Sequence, residues 1–180
     1  GDVLVGAYGN DDGGTEAGKV YLFFGASLET TGTLDLAIAD HTFIGEDDGD
    51  SAGYSAASAG DVDGDGLDDI LIGASWGGGS TYGRAYLFLA ASLGSTAEID
   101  LSTADFTVTG NSAYHTGYAG KTLASAGDFD GDGFDDILIG STLSYGNVGL
   151  FYSSSIMSYI SAGNTQRYLS NADLIFEGQN

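Results

Sequence analysis

The apolar residues of this chain fall in short runs separated by glycine-rich, acidic turns, and the runs recur. Val3-Leu4-Val5-Gly6 reads again as Ile70-Leu71-Ile72-Gly73 and as Ile137-Leu138-Ile139-Gly140, offset by 67 residues both times. The same offset carries Ala57-Ser58-Ala59-Gly60-Asp61-Val62-Asp63-Gly64-Asp65-Gly66 onto Ala124-Ser125-Ala126-Gly127-Asp128-Phe129-Asp130-Gly131-Asp132-Gly133. Runs this short, rich in Val, Ile, Leu, Tyr and Phe and bounded by glycine, predict strands. The middle period holds four, Tyr54 to Ala59, Ile70 to Ala74, Ala85 to Leu89 and Phe106 to Thr109. The first copy supplies the last three, as Val3 to Ala7, Val20 to Phe24 and Thr42 to Ile44, and the third is complete through Leu174 to Phe176, so eleven strands are expected.

Four antiparallel strands per period is the unit of a β-propeller blade, whose faces are buried by stacking on neighbours. The predicted fold class is all-β, with little or no helix: antiparallel four-stranded blades in tandem, about 2.7 repeats of 67 residues. Residues 1–180 then form one partial propeller, with an incomplete blade at 1–45 and blades carrying an acidic loop at 46–110 and 111–180. A closed propeller needs at least about four blades. Either the chain is a segment of a longer protein, or copies associate to complete each other's open edges.

Composition sharpens this picture. There are 31 glycines and no proline, and 26 acidic residues stand against 4 basic ones for a formal charge of −22. Nucleic acid and anionic membranes need cationic surface, so neither is an expected partner. Of the acids 21 are Asp, the shorter carboxylate that collects in turns and metal loops. Cysteine is absent, which removes disulfides and thiolate metal sites. No apolar run reaches the roughly 20 residues of a membrane helix.

The acids concentrate where chemistry is expected. Calcium takes six to eight oxygens, and carboxylates at alternate positions of a tight glycine turn converge on one centre. Asp61, Asp63, Asp65 and Asp69 with the carbonyl of Leu67 form one such set, and Asp128, Asp130, Asp132 and Asp136 with the carbonyl of Phe134 form a second. Asp68 and Asp135 point away from these centres. Two Ca2+ ions are expected, both structural, because neither loop has a nearby His, Lys or Arg to serve a reaction. Four carboxylates about 5 Å apart repel by about 0.8 kcal/mol per pair even in water, so the loops need a cation.

These residues resemble the FG-GAP repeat of integrin α-subunit propellers and bacterial surface proteins. The family pattern of Ser-x-Ala-Gly-Asp, a DxDxDG loop, an apolar strand and Gly-Ala-Pro is matched by Ser58-Ala59-Gly60-Asp61, by Ser125-Ala126-Gly127-Asp128, and by Gly73-Ala74-Ser75 without its proline. Its Phe-Gly has become Ala52-Gly53 and Ala119-Gly120. The resemblance implies calcium loops on one face and ligand-contacting loops on the other. That opposite face is expected to carry 8–19, 46–53, 75–84, 111–120 and 143–147, with Trp76, Tyr82, Tyr114, His115 and Tyr145 as its aromatic members.

Catalytic patterns dissolve against the repeat. Gly73-Ala74-Ser75-Trp76-Gly77 fits a nucleophile elbow, but its counterpart Gly6-Ala7-Tyr8-Gly9 shows a generic turn after a strand. Gly120-Lys121-Thr122 ends like a phosphate loop, yet Lys121 aligns with Tyr54 of a strand. His41 and His115 lack metal-ligand companions and read as surface residues. The expected function is a non-enzymatic, calcium-binding extracellular or cell-surface module for adhesion, contacting a protein or glycan. The rivals are a self-assembling subunit of an extracellular filament or sheath, and an accessory propeller of a carbohydrate- or lipid-active enzyme.

Overall fold

Each period folds as one antiparallel sheet because its runs are too short for helices and its glycines turn the chain between them. The computed structural model describes residues 1–28, 32–76, 82–111, 118–142 and 146–178. The first sheet contains β1 (Val3–Ala7), β2 (Lys19–Phe23) and β3 (His41–Ile44). The second contains β4 (Ala52–Gly60), β5 (Asp69–Ala74), β6 (Arg84–Phe88) and β8 (Phe106–Thr109). The third contains β9 (Thr122–Gly127), β10 (Asp136–Ser141), β11 (Asn147–Phe151) and β13 (Leu174–Glu177). These are the eleven expected strands.

Two further strands, each of three residues, were not foreseen. β7 (Glu98–Asp100) lies between β6 and β8 in the chain, yet pairs in parallel with β3 of the preceding sheet. β12 (Gln166–Tyr168) likewise leaves the third sheet to pair in parallel with β8 of the second. Every later sheet thus reaches back to clasp the outer strand of the one before it. One helix, α1 (Ser153–Ser161), enters this connection in the third repeat. Ile156 buries its face against the core beside Met157, Tyr159 and Ile160, and the chain turns out of it at Gly163, which takes a left-handed φ of 79°. No helix among the described residues is long and apolar enough to cross a membrane.

Side-chain alternation along β5 builds both seams between sheets. Ile70 and Ile72 face the first sheet and pack with Val20, Leu22 and Phe43, whereas Leu71 faces the third and packs with Ile137, Ile139 and Phe151. An aromatic pair repeats at each seam, Phe43 with Phe88 at 4.9 Å and Phe106 with Phe151 at 6.3 Å between ring centroids. Nearer the inner strands the backbones themselves touch. A Cβ on Gly6 would fall on the Gly53 carbonyl oxygen, and one on Gly73 on that of Gly120. Gly53 and Gly120 hold φ near +80°, so the Ala-Gly pair standing at the family's Phe-Gly position is required at its second residue by conformation and by space.

A second repeated signal, Leu36 to Asp40, Leu101 to Asp105 and Leu169 to Asp173, forms a 3-10 turn before each outer strand. Its aspartates accept backbone N–H bonds from Phe24 (2.7 Å), Leu89 (2.9 Å) and Tyr152 (2.9 Å), closing the exit of each third strand. His41 is buried rather than on the surface: its Nδ1 lies 2.9 Å from the Thr96 carbonyl, just ahead of β7, and Phe24 meets it edge-on. A surface reading of His41 fails because Thr96 comes from 55 residues away in sequence.

Candidate metal centres

Each acidic loop joins the first and second strands of a sheet, β4 to β5 and β9 to β10. Its shape comes from its own carboxylates, which accept N–H bonds at fixed short range. Asp61 accepts from Gly64 (2.7 Å) and Gly66 (3.0 Å), Asp63 from Asp65 (3.1 Å), and Asp65 from Leu67 (2.8 Å). The second loop repeats this: Asp128 accepts from Gly131 (2.7 Å) and Gly133 (3.0 Å), Asp130 from Asp132 (3.1 Å), and Asp132 from Phe134 (3.0 Å). Gly64, Gly66, Gly131 and Gly133 all take positive φ, which lets the carboxylates turn inward together.

Carboxylate oxygens of Asp61, Asp63 and Asp69 lie within 4.8 Å of one another, as do those of Asp128, Asp130 and Asp132. Asp65 and Asp136, expected in the same sets, are not members of these triads. Asp69 and Asp136 are fully buried. Asp69 accepts from Val62 (2.9 Å) and Ala90 (2.8 Å), and Asp136 from Phe129 and Ser153 (both 2.9 Å). Ser153 Oγ also reaches Asp132 at 3.2 Å, tying the start of α1 to the second loop. Leu67 is 55% exposed, and Phe134, 41% exposed, lays its ring against Gly64 of the first loop.

Burial, and then the charges of Asp63 and Asp65, push the Asp69 carboxyl up to about 6 against the lowering effect of its two N–H bonds. Asp130 is raised too, first by desolvation and then by Asp132, Asp136 and Asp128. A divalent cation would remove the repulsion in both. The donors are all hard oxygens, without imidazole or thiolate, and that chemistry fits calcium better than zinc. Of the two aspartates that point away, Asp68 accepts from Ser58 Oγ at 3.2 Å. Asp135 crosses the seam: its Oδ2 accepts from Asp61 N–H (3.0 Å) and its own N–H donates to the Asp61 carbonyl (2.9 Å).

The elements of this architecture, two copies of an acidic loop between the first two strands of a sheet, match the FG-GAP repeat at residues 52–88 and 119–153. The chain carries FG-GAP repeats. The FG-GAP segments extend into similarity with integrin α-subunits: 41% identity over 108 residues with integrin alpha-5 of Xenopus laevis, covering 56% of this chain and 9% of that protein. Integrin alpha-PS2 of Drosophila melanogaster is 39% identical over 101 residues, 52% of this chain and 7% of its own length. Integrin alpha-IIb of Mus musculus is 32% identical over 127 residues, 70% of this chain and 11% of its own length. The chain thus spans about a tenth of the relatives it matches.

On the other end of the FG-GAP sheets, Trp76 is exposed and meets Tyr118 edge-on at 4.9 Å. Tyr82 is partly buried, and its carbonyl accepts from Ala119 N–H at 2.9 Å. Tyr114, His115 and Tyr145 lie outside the described residues. Sequence reasoning did not single out Tyr8, Tyr54, Tyr118 or Lys121, which gather beside Trp76. Ser75, the apparent elbow nucleophile, is buried with no hydrogen-bond partner for its hydroxyl among the described residues.

Proposed function

We propose that this chain is a calcium-binding extracellular FG-GAP module of a surface or adhesion protein, without catalytic activity. Ca2+ is held by Asp61, Asp63, Asp65, Asp69 and the Leu67 carbonyl, and by Asp128, Asp130, Asp132, Asp136 and the Phe134 carbonyl. The observation that supports this most is the duplicate loop, with the same carboxylates accepting from the same N–H groups within about 0.2 Å in both copies. Bound calcium supplies charge compensation and rigidity. The loops of the opposite face then present a firm surface to a protein or glycan.

The test is calorimetric titration of the EDTA-treated chain with calcium, with melting followed in parallel. Two sites are expected, and each should stabilise the fold by about 2.7 kcal/mol when calcium stands at 100 times its dissociation constant. Asp63→Ala and Asp130→Ala should each remove one site. Absence of calcium heat in the parent chain, or equal melting of all three proteins in calcium, overturns the reading.

Self-assembly is a second reading, supported by one observation. Among the described residues β1 pairs with β2 alone, which leaves its other edge without a strand, and a 650 Å3 cleft runs between the first two sheets, with Leu4, Leu22 and Phe24 on one side and Ile70 and Leu93 on the other. An edge of this kind is a template for a strand from another chain.

A further inference from the structure

At the acidic-loop end of the third sheet, the connection after β11 departs from its counterparts. The chain leaves β2 and β6 through three-residue 3-10 turns, Gly25–Ser27 and Ala90–Ser92, but leaves β11 through the nine-residue α1. The clasp strand that follows departs as well: the middle of β12 is Arg167, where β7 has the buried Ile99. Between this helix and this strand lies a 530 Å3 pocket lined by Ser154, Ser155, Ser158, Tyr159, Ala162 and Arg167, within the roughly 300 to 1,000 Å3 of small-ligand sites. The corresponding hollow of the second repeat is smaller, 370 Å3, and is lined in part by Leu93, Ile99, Glu98 and Asp100. The third repeat has exchanged apolar and acidic groups for a guanidinium, an aromatic ring and hydroxyls.

We propose that this pocket binds a sugar acid, one carboxylated monosaccharide unit of the uronic or sialic kind, with its carboxylate on Arg167 and its ring on Tyr159. The guanidinium is set in place by aromatic neighbours: its carbon is 5.6 Å from the Phe151 centroid and 5.5 Å from that of Tyr159, and Phe106 meets Tyr159 edge-on at 6.0 Å. One arm donates to the Asn171 carbonyl. The other N–H donors stay available in the planar fork that matches a carboxylate. Lys19 is paired with Asp12 and Arg84 with Glu46, both at 2.9 Å, whereas Arg167 has no ion pair among the described residues, in a chain with 26 acids. Asp173, the acid beside this helix, is already engaged by Tyr152 N–H and Ser155 Oγ, both at 2.9 Å.

The surroundings select among anions. A single guanidinium in a chain of formal charge −22 admits a monoanion and opposes a phosphate dianion or a polyanionic chain. Ser154 and Ser158 are exposed on the pocket side of α1, and a hydroxyl both donates and accepts, as the hydroxyls of a sugar require. The partly buried Tyr159 offers a flat apolar face to the C–H side of a sugar ring. A bare carboxylate engages the arginine alone, so the ring and the hydroxyls distinguish a sugar acid from an acidic side chain. The pocket stands apart from the loops at the other end of the sheets and does not depend on what those loops contact.

Arg84 and Arg167 are the two arginines, so the side-chain Nε–H spectrum of the 15N-labelled chain holds two signals, with the Glu46-paired Arg84 as internal reference. The chain is titrated with methyl glucuronide, methyl sialoside, methyl glucoside, acetate and inorganic phosphate, and binding to the variants is followed on the proton signals of the sugars. A sugar acid should shift the Arg167 signal saturably and bind about 10-fold more tightly than methyl glucoside, the worth of one charge-assisted hydrogen bond, and more tightly than acetate. Arg167→Met should abolish the preference for the acid over the glucoside. Ser158→Ala should weaken the sugar acid about 5-fold and leave acetate unchanged; it alters an exposed helix position and carries the test even where Arg167→Met melts early. Either sugar acid behaving in this way supports the proposal, and their relative affinity tells the uronic from the sialic kind. No shift at Arg167, equal binding of glucoside and sugar acid, acetate or phosphate binding as tightly as both sugar acids, or a preference that survives Arg167→Met overturns it.

Discussion

Single carboxylates in this chain do two kinds of work. Asp40 is a structural example: it accepts from Phe24 N–H at 2.7 Å and Ser27 Oγ at 2.9 Å, and these bonds, the Phe24 one foremost, hold its carboxyl below the usual range. A depressed carboxyl adds stability above its unfolded pKa of 3.8 and loses it as pH falls through the lower folded value. Asp40→Asn should therefore flatten the loss of stability below about pH 4, read from denaturant midpoints measured across that range. Ser75→Ala should be neutral or stabilise slightly, since the hydroxyl it removes is buried without a partner. The aspartates that converge in each acidic loop were legible in the sequence because alternation and the 67-residue offset mark them twice. Lys121 was not: its counterpart is Tyr54, so the repeat hides a charge that only the fold sets among rings.

Among the elements, the strands were readable and the contacts between sheets were not. The four-residue apolar runs announce β1, β5 and β10, whereas β7 and β12 are three residues each, with charged or polar members, and exist through pairing with an earlier sheet. Close approach across a seam has a sharper consequence. Gly73→Ala drives a methyl onto the Gly120 carbonyl and should cost about 2 kcal/mol, while Gly9→Ala, with open space around it, should be nearly neutral in the same denaturation assay. Asp135 couples one acidic loop to the other. Asp135→Ala removes the acceptor of the Asp61 N–H and should weaken calcium at the Asp61 loop by about 10-fold, resolved by two-site calorimetry against Asp63→Ala.

For the whole molecule, the 67-residue period alone implied a stack of sheets, because a half-buried sheet must find a neighbour on each face. The buried aromatic pairs at both seams are how it does so. The free edge of β1 lies outside that protection. On the self-assembly reading, sedimentation of this chain should show association rising with concentration, and Val3→Lys, at an exposed position of β1, should reduce it; a concentration-independent monomer overturns that reading. The clasps also set how the stack responds to force. A pull that separates two sheets loads the parallel ladder at β7 or β12 in shear at the outer rim, while the backbone bond from Ala52 N–H to the Ala17 carbonyl, or from Ala119 N–H to the Tyr82 carbonyl, both 2.9 Å, resists nearer the inner strands. Both fastenings of a seam must then fail together, so under tension the stack yields one whole seam at a time, in steps rather than by gradual fraying.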